Sequence, residues 1–125
     1  QSKGDMRFVA KELSLNQDIA GDSAFAVSFI SSFDCAMQKY GDRGYRYIHF
    51  EAGLLGHALY LGATAMGYDG TGIGAFIDDD VHAFLKTSAS LQVVYHFTVG
   101  KRVDDPRIST LPSYVHIHDD EEDVK

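Results

Sequence analysis

The stretch from Gly44 to Phe76, GYRYIHFEAGLLGHALYLGATAMGYDGTGIGAF, constrains this chain more than any other. Ile48, Ala52, Leu55, Leu59, Gly62/Ala63 and Met66 recur at steps of three and four, the period of a helix face. Leu54, Ala58, Leu61 and Ala65 widen the apolar stripe, so the expectation is a long helix buried on more than one side. Gly53, Gly56 and Gly62 each weaken a helix by about 1 kcal/mol relative to Ala. Packing has to offset that, which calls for another backbone or a flat ligand close by. Gly67 is a stop signal after Met66. Gly70, Gly72 and Gly74 then alternate into Ala75-Phe76 as a glycine-rich strand entry, where backbone N–H groups can approach a ligand without Cβ interference.

The rest of the chain supplies strands and short helices. Gln1 to Asp22 is polar and mixed, with Leu13, Leu15 and Ile19 expected as part of a short helix. In AFAVSFISSF, Phe25, Val27 and Phe29 alternate with Ala26 and Ser28, which predicts a well-buried strand. Asp34 to Lys39 reads as a helical turn and Gly41-Asp42-Arg43-Gly44 as a loop. Asp78, Asp79 and Asp80 stand where a helix would begin, and anions suit that end of the dipole. Leu91 to Val99 is the clearest strand: Leu91, Val93, Tyr95, Phe97 and Val99 form the apolar face, with Gln92, His96 and Thr98 opposite. Gly100 ends it, and Asp105-Pro106-Arg107 and Leu111-Pro112 mark an extended tail. The order strand, helix, strand, helix, strand fits α/β or α+β. We expect one domain over 1–118 and an acidic tail over 119–125.

Composition narrows the function classes. The chain has 125 residues, 45% of them hydrophobic, which describes a globular chain rather than a disordered one. It begins at Gln1, not Met, as a processed product or a piece of a longer chain would. Of the net charge of −7, the tail Asp119–Lys125 contributes −4 through five acids and one lysine. There is no basic stripe for nucleic acid and no apolar run of the roughly 20 residues that spans a bilayer. A single cysteine, Cys35, excludes an internal disulfide and fits a reducing compartment, so the expected location is cytoplasmic.

Several familiar patterns fail on spacing. GTGIGA is G-x-G-x-G, follows a helix and lacks the later acid of a dinucleotide fingerprint. It lacks the Lys-Ser/Thr of a phosphate loop as well. What remains for it is a tight turn or a backbone surface against a flat cofactor. His49, Glu51 and His57 do not make HExxH, and His116-x-His118 is a weak divalent pair, so no metal is expected. There is no G-x-S-x-G, and Cys35 has no activating partner in sequence.

YGDRGYRYIHFEAGLLGHALYLGATAMGYDGTGIGAF, followed by VGKRVDDPRISTLP, resembles the C-terminal half of the nitroreductase superfamily. It is most similar to SagB-type dehydrogenases, which include the thiazole- and oxazole-forming azoline oxidases. The likeness runs from about Leu13 to Tyr114; the family's N-terminal half has no counterpart here. It implies an α+β nitroreductase-like fold: a mainly antiparallel sheet flanked by the long helix. It implies an FMN-dependent oxidoreductase that works as a homodimer, or paired with a separate N-terminal fragment, on a small-molecule or peptide substrate. The alternative is a non-catalytic relic or interaction subunit that keeps the fold without flavin.

The resemblance also assigns residues. It sets the Gly74 N–H near the reactive flavin N5, flanked by Gly72, Ile73 and Ala75. A backbone donor there fixes the ring and favours the charge that develops on reduction. Arg107, in DPR-I-x-x-LP, corresponds to the basic residue that holds the FMN phosphate, a group a guanidinium matches bidentately. Lys101 and Arg102 are the alternates, and an arginine in a polar loop is otherwise simply solvated. Lys39-Tyr40 resembles the catalytic pair of azoline oxidases, where substrate loses a proton to a base and a hydride to flavin. A phenol beside an ammonium is a candidate base. The plain reading of the same pair is a solvated helix end.

Overall fold

The computed structural model describes residues 4–115. Eight elements follow in order: α1 (Arg7–Leu13), α2 (Asp18–Asp22), β1 (Phe25–Ser32), α3 (Phe33–Tyr40), α4 (Arg43–Ala65), β2 (Asp69–Ile73), α5 (Asp78–Leu85) and β3 (Leu91–Gly100). The three strands form one antiparallel sheet in the order β1-β3-β2. This is α+β, with the long helix against the sheet, and the antiparallel order excludes the parallel crossover of a dinucleotide fold. The acidic tail and the His116/His118 pair lie outside the described residues.

β3 is the centre. Phe97 and Val99 pack with Ala63 of α4, and Val27, Phe29, Leu59 and Tyr95 close around them. The opposite face of β3 is covered too, which the alternation of polar residues did not anticipate. His96 and Thr98 are buried, at 5% and 2% exposure. A central strand in a sheet with helices on both sides has no solvent face. The polar atoms find internal partners instead: Ser14 Oγ lies 3.2 Å from His96 Nδ1, and Thr98 Oγ1 donates to the Thr71 carbonyl at 3.4 Å. β1, by contrast, is less buried than its pattern predicts. It is an edge strand, and Phe25 and Ile30 remain exposed.

α4 begins without a side-chain cap. It enters instead through a close crossing at Gly44, where a Cβ would sit 2.5 Å from the Ala36 carbonyl oxygen of α3. The expectation of burial on several sides is corrected here. Among the described residues, one stripe only is buried: Gly44, Ile48, Ala52, Gly56 and Ala63, with Leu59 half-buried. Phe50, Leu54, Leu55, Leu61 and Met66 are exposed. Gly56 earns its place, since a Cβ there would lie 3.0 Å from the Tyr95 ring, whereas Gly53 and Gly62 face open space.

Two further helices close the other face of the sheet. The three aspartates of α5 occupy its first turn, and the imidazole of His82 in its last turn accepts the Val93 N–H at 2.8 Å. A cavity of about 530 Å³ lies between α1, α5 and the sheet face that carries His96, lined by Leu13, Ser28, Ile30 and Phe84 among others.

Candidate functional site

The glycine run that follows α4 becomes edge strand β2, and the structure separates its glycines into two kinds. At Gly70 a Cβ would lie 2.7 Å from Cζ of Phe97; at Gly72 it would fall inside the Tyr95 phenol, 2.5 Å from Cζ. Rings from the central strand lie across the edge strand and leave no volume for side chains. Gly74 differs: nothing lies within 4 Å of its Cβ position. Gly74 and Ala75 are exposed just beyond β2, while Ile73 turns its side chain into the core at 3% exposure. The open backbone of the run is therefore the Gly74–Ala75 segment. The Ala75 carbonyl is tied down on one side by Gln17 Nε2, at 3.4 Å.

Two phenols that sequence reasoning missed sit at this edge. The Gly72 N–H, pointing away from β3, donates to Tyr60 Oη of α4 at 2.8 Å. Tyr60 stands edge-on to Phe97, with ring centroids 4.7 Å apart. Tyr95 comes in beneath Gly72, and burial together with the nearby Tyr60 phenol pushes its pKa above the ordinary tyrosine value. The signal available in sequence was spacing: Tyr95 and Phe97 alternate on one strand as Gly70 and Gly72 do on its neighbour.

Arg107 and Lys101 lie in the exposed tail beyond β3. The Arg107 guanidinium forms a two-bond fork on the Asp105 carboxylate, Nε to Oδ1 at 2.9 Å and Nη2 to Oδ2 at 2.6 Å. That bond holds the Asp105 carboxyl below the usual carboxylate range and raises Arg107. The backbone N–H of Arg107 binds the same carboxylate at 3.0 Å, so the turn pre-orients the side chain. Its Nη1 donors have no partner among the described residues and remain available to an anion. Gly100, where the tail leaves the sheet, pairs with Asp69, at the opposite end of β2 from Gly74. Five residue steps of about 3.4 Å separate Asp69 from Gly74, about 17 Å along the strand direction.

Lys39 and Tyr40 end α3. Lys39 Nζ lies 4.8 Å from the Tyr40 ring centroid, and the adjacent phenol raises its pKa, so the lysine is held as an ammonium. Tyr40 packs edge-on against Tyr47 near the start of α4. Tyr60, the residue that touches Gly72, stands thirteen positions later on the same helix, about 20 Å along the axis at 1.5 Å per residue. Within one chain, the pair and the glycine edge are not brought together.

No group of three or more metal-ligand side chains is clustered among the described residues. No helix there is long and apolar enough to cross a membrane.

An antiparallel α+β sheet with one long flanking helix and an open glycine edge defines a class of fold rather than a reaction, and comparison with known proteins supplies the family. The nitroreductase family profile matches residues 2–101, so the chain belongs to the nitroreductase family. An archaeal protein described as a nitroreductase, from Methanocaldococcus jannaschii, is 38% identical over 56 residues, covering 45% of this chain and 28% of that protein. A crystal structure described as a nitroreductase from Anabaena variabilis superposes with a TM-score of 0.75 at 35% identity, over 80% of this chain and 20% of the other. The Escherichia coli microcin synthetase McbBCD complex, solved with truncated pro-MccB17 bound, gives 0.71 at 21% identity, over 82% of this chain and 40% of that one. The NADPH:FMN oxidoreductase of Vibrio harveyi gives 0.69 at 18% identity, over 94% and 55%. The last two speak to the fold alone. The chain thus spans between a fifth and about half of the length of these relatives.

Proposed function

We propose that the chain is part of an FMN-dependent oxidoreductase. The observation that carries this is the membership of the nitroreductase family joined to the one open glycine backbone, Gly74–Ala75, at the sheet edge. The residues fit a flat cofactor with a phosphate tail. Gly74 offers backbone without a side chain in the way, and Arg107 offers unpartnered N–H donors pre-oriented by Asp105. Bound there, FMN supplies a two-electron carrier that accepts and passes on hydride at N5. The chain itself binds and orients: Gly74, flanked by Gly72, Ile73 and Ala75, presents backbone to the ring, and Arg107 neutralises phosphate, with Lys101 alongside.

The assembly reading follows from α4. Its exposed apolar face, with Gly53 and Gly62 open to close approach, is the surface a second copy or a separate N-terminal segment would cover. A second copy lying antiparallel along α4 has a further consequence. It would carry its own Lys39–Tyr40 toward the glycine edge that the first chain's pair stands about 20 Å from. That favours, as a second reading, an azoline oxidase of SagB type, in which this pair takes the substrate proton. The non-catalytic alternative predicts no flavin at all. An absorbance band near about 450 nm in the purified full-length protein supports the oxidoreductase. Its absence after incubation with FMN would remove that reading and leave the interaction subunit.

A further inference from the structure

We infer that Tyr60 is a positioning residue: its phenol clamps the outward N–H of Gly72 and so sets the course of the backbone at Gly74 and Ala75. The inference rests on the FMN reading above. β2 is an edge strand, and every second N–H along such an edge points away from the sheet, normally to water. At Gly72 that donor meets Tyr60 Oη instead, at 2.8 Å. The hydroxyl is not loosely placed. The Tyr60 ring rests edge-on against Phe97, 4.7 Å between centroids at 83°, and Phe97 is fully buried. The position of the oxygen is thereby inherited from the core.

The grip has a second jaw. Tyr95 lies beneath Gly72 so closely that no Cβ fits. One phenol from α4 holds the peptide by its N–H, and one from β3 supports it from the sheet face that packs on α4. Two residues later the chain reaches Gly74, where space is open, and Ala75, whose carbonyl Gln17 restrains. The segment offered to the ring is thus fixed just before and just after. Tyr60 need not touch the flavin to matter; it decides where Gly74 N–H points. An outward donor held by a half-exposed phenol also blunts the edge against pairing with another strand.

The test is Tyr60→Phe in the full-length protein, which keeps the ring on Phe97 and removes only the acceptor. Three readouts are taken: deuterium exchange of the β2 peptide in flavin-free protein, the FMN dissociation constant, and the visible spectrum of bound FMN. Expected are faster exchange at β2, an FMN affinity about tenfold weaker, and a shifted flavin spectrum, with the melting midpoint of flavin-free protein little changed. Unchanged exchange would show that there is no clamp. Faster exchange with FMN affinity within about twofold and a superimposable spectrum would make the bond structural only and overturn the positioning role. A parent protein that binds no FMN refutes the functional reading and this role with it, while the exchange measurement still reports on the bond itself.

Discussion

Replacing Gly72 and Gly74 by alanine, one at a time, should give opposite results although the two glycines are two residues apart in one run. At Gly72 the new Cβ would lie 2.5 Å from Tyr95 Cζ and closer still to its oxygen. Carbon–carbon contacts are comfortable at about 3.5–4.0 Å, so Cζ would have to retreat by at least about 1 Å and the oxygen by about 2 Å. Its room is limited: the same Cε1 edge lies 3.0 Å from where a Cβ on Gly56 of α4 would sit, and Phe29 stands against the ring at 5.8 Å between centroids. Overpacking costs typically about 1–3 kcal/mol, and a ring hemmed in by α4 and Phe29 belongs at the top of that range, about 3 kcal/mol. At Gly74 nothing lies within 4 Å of the Cβ position and the backbone is not in the left-handed region, so the change should stay within about 0.5 kcal/mol. Urea unfolding followed by far-UV circular dichroism measures both. With a slope of about 2 kcal/mol/M, Gly72→Ala should lower the midpoint by about 1.5 M and Gly74→Ala by less than about 0.3 M. FMN binding should report the reverse preference, falling for Gly74→Ala through the methyl placed at the open edge. Equal stability losses at the two positions, or a neutral Gly72→Ala, would refute the argument that aromatic packing and not ligand approach explains Gly72.

Other outcomes follow from the same geometry. His96 is buried with Nε2 unpartnered among the described residues, and burial lowers its pKa from the ordinary 6.5. The unfolded chain then binds the proton more readily, so stability should fall as pH drops below about 6.5 and the fall should continue to the lowered folded value. His96→Phe should flatten that slope in denaturation curves taken between about pH 5 and 8. Arg107→Ala should weaken FMN binding by about 1.5–3 kcal/mol in a titration of flavin-free protein, and an affinity equal to the parent's would take Arg107 out of the site. Leu54→Glu with Leu61→Glu, both exposed on α4, should leave helix content intact and shift sedimentation toward monomer at micromolar concentration. In the complete enzyme, Tyr40→Phe or Lys39→Ala should slow flavin reduction by an azoline peptide by about 10²–10⁴-fold while flavin content and nitroarene turnover hold.

The fold was legible in the sequence where one period ruled one element. α4 shows it best: Ile48, Ala52 and Ala63 were on the face read from spacing, and they are buried, Ala63 against Phe97 and Val99 of β3. Leu55 and Met66 were on that face by the same count and are exposed. Periodicity reports that a side chain is apolar at the right angle, not that this chain supplies what it packs against. The same limit applied to β1, where alternating Phe25, Val27 and Phe29 announced a strand but not that it stands at an edge. β3 failed in the other direction. His96 and Thr98 looked like a wet face because they are polar, and only the tertiary cover of α1 and α5, with Ser14 reaching Nδ1, makes them interior.

The candidate site shows where a glycine pattern stops being informative. Gly70, Gly72 and Gly74 are equivalent in sequence, and each is consistent with backbone kept bare for a ligand. Two of the three are bare because Phe97 and Tyr95 need the volume, and register makes that so: Gly70 lies opposite Val99 and Gly72 opposite Phe97, each two residues along β3 from the ring that crosses beneath it. The remaining glycine is the one whose emptiness the chain's own packing does not explain. A position that costs conformational freedom and fills no internal need is where a ligand has to be sought. By that reasoning the flavin-facing backbone begins at Gly74, and Gly72 belongs to the support beneath it, held by two tyrosines.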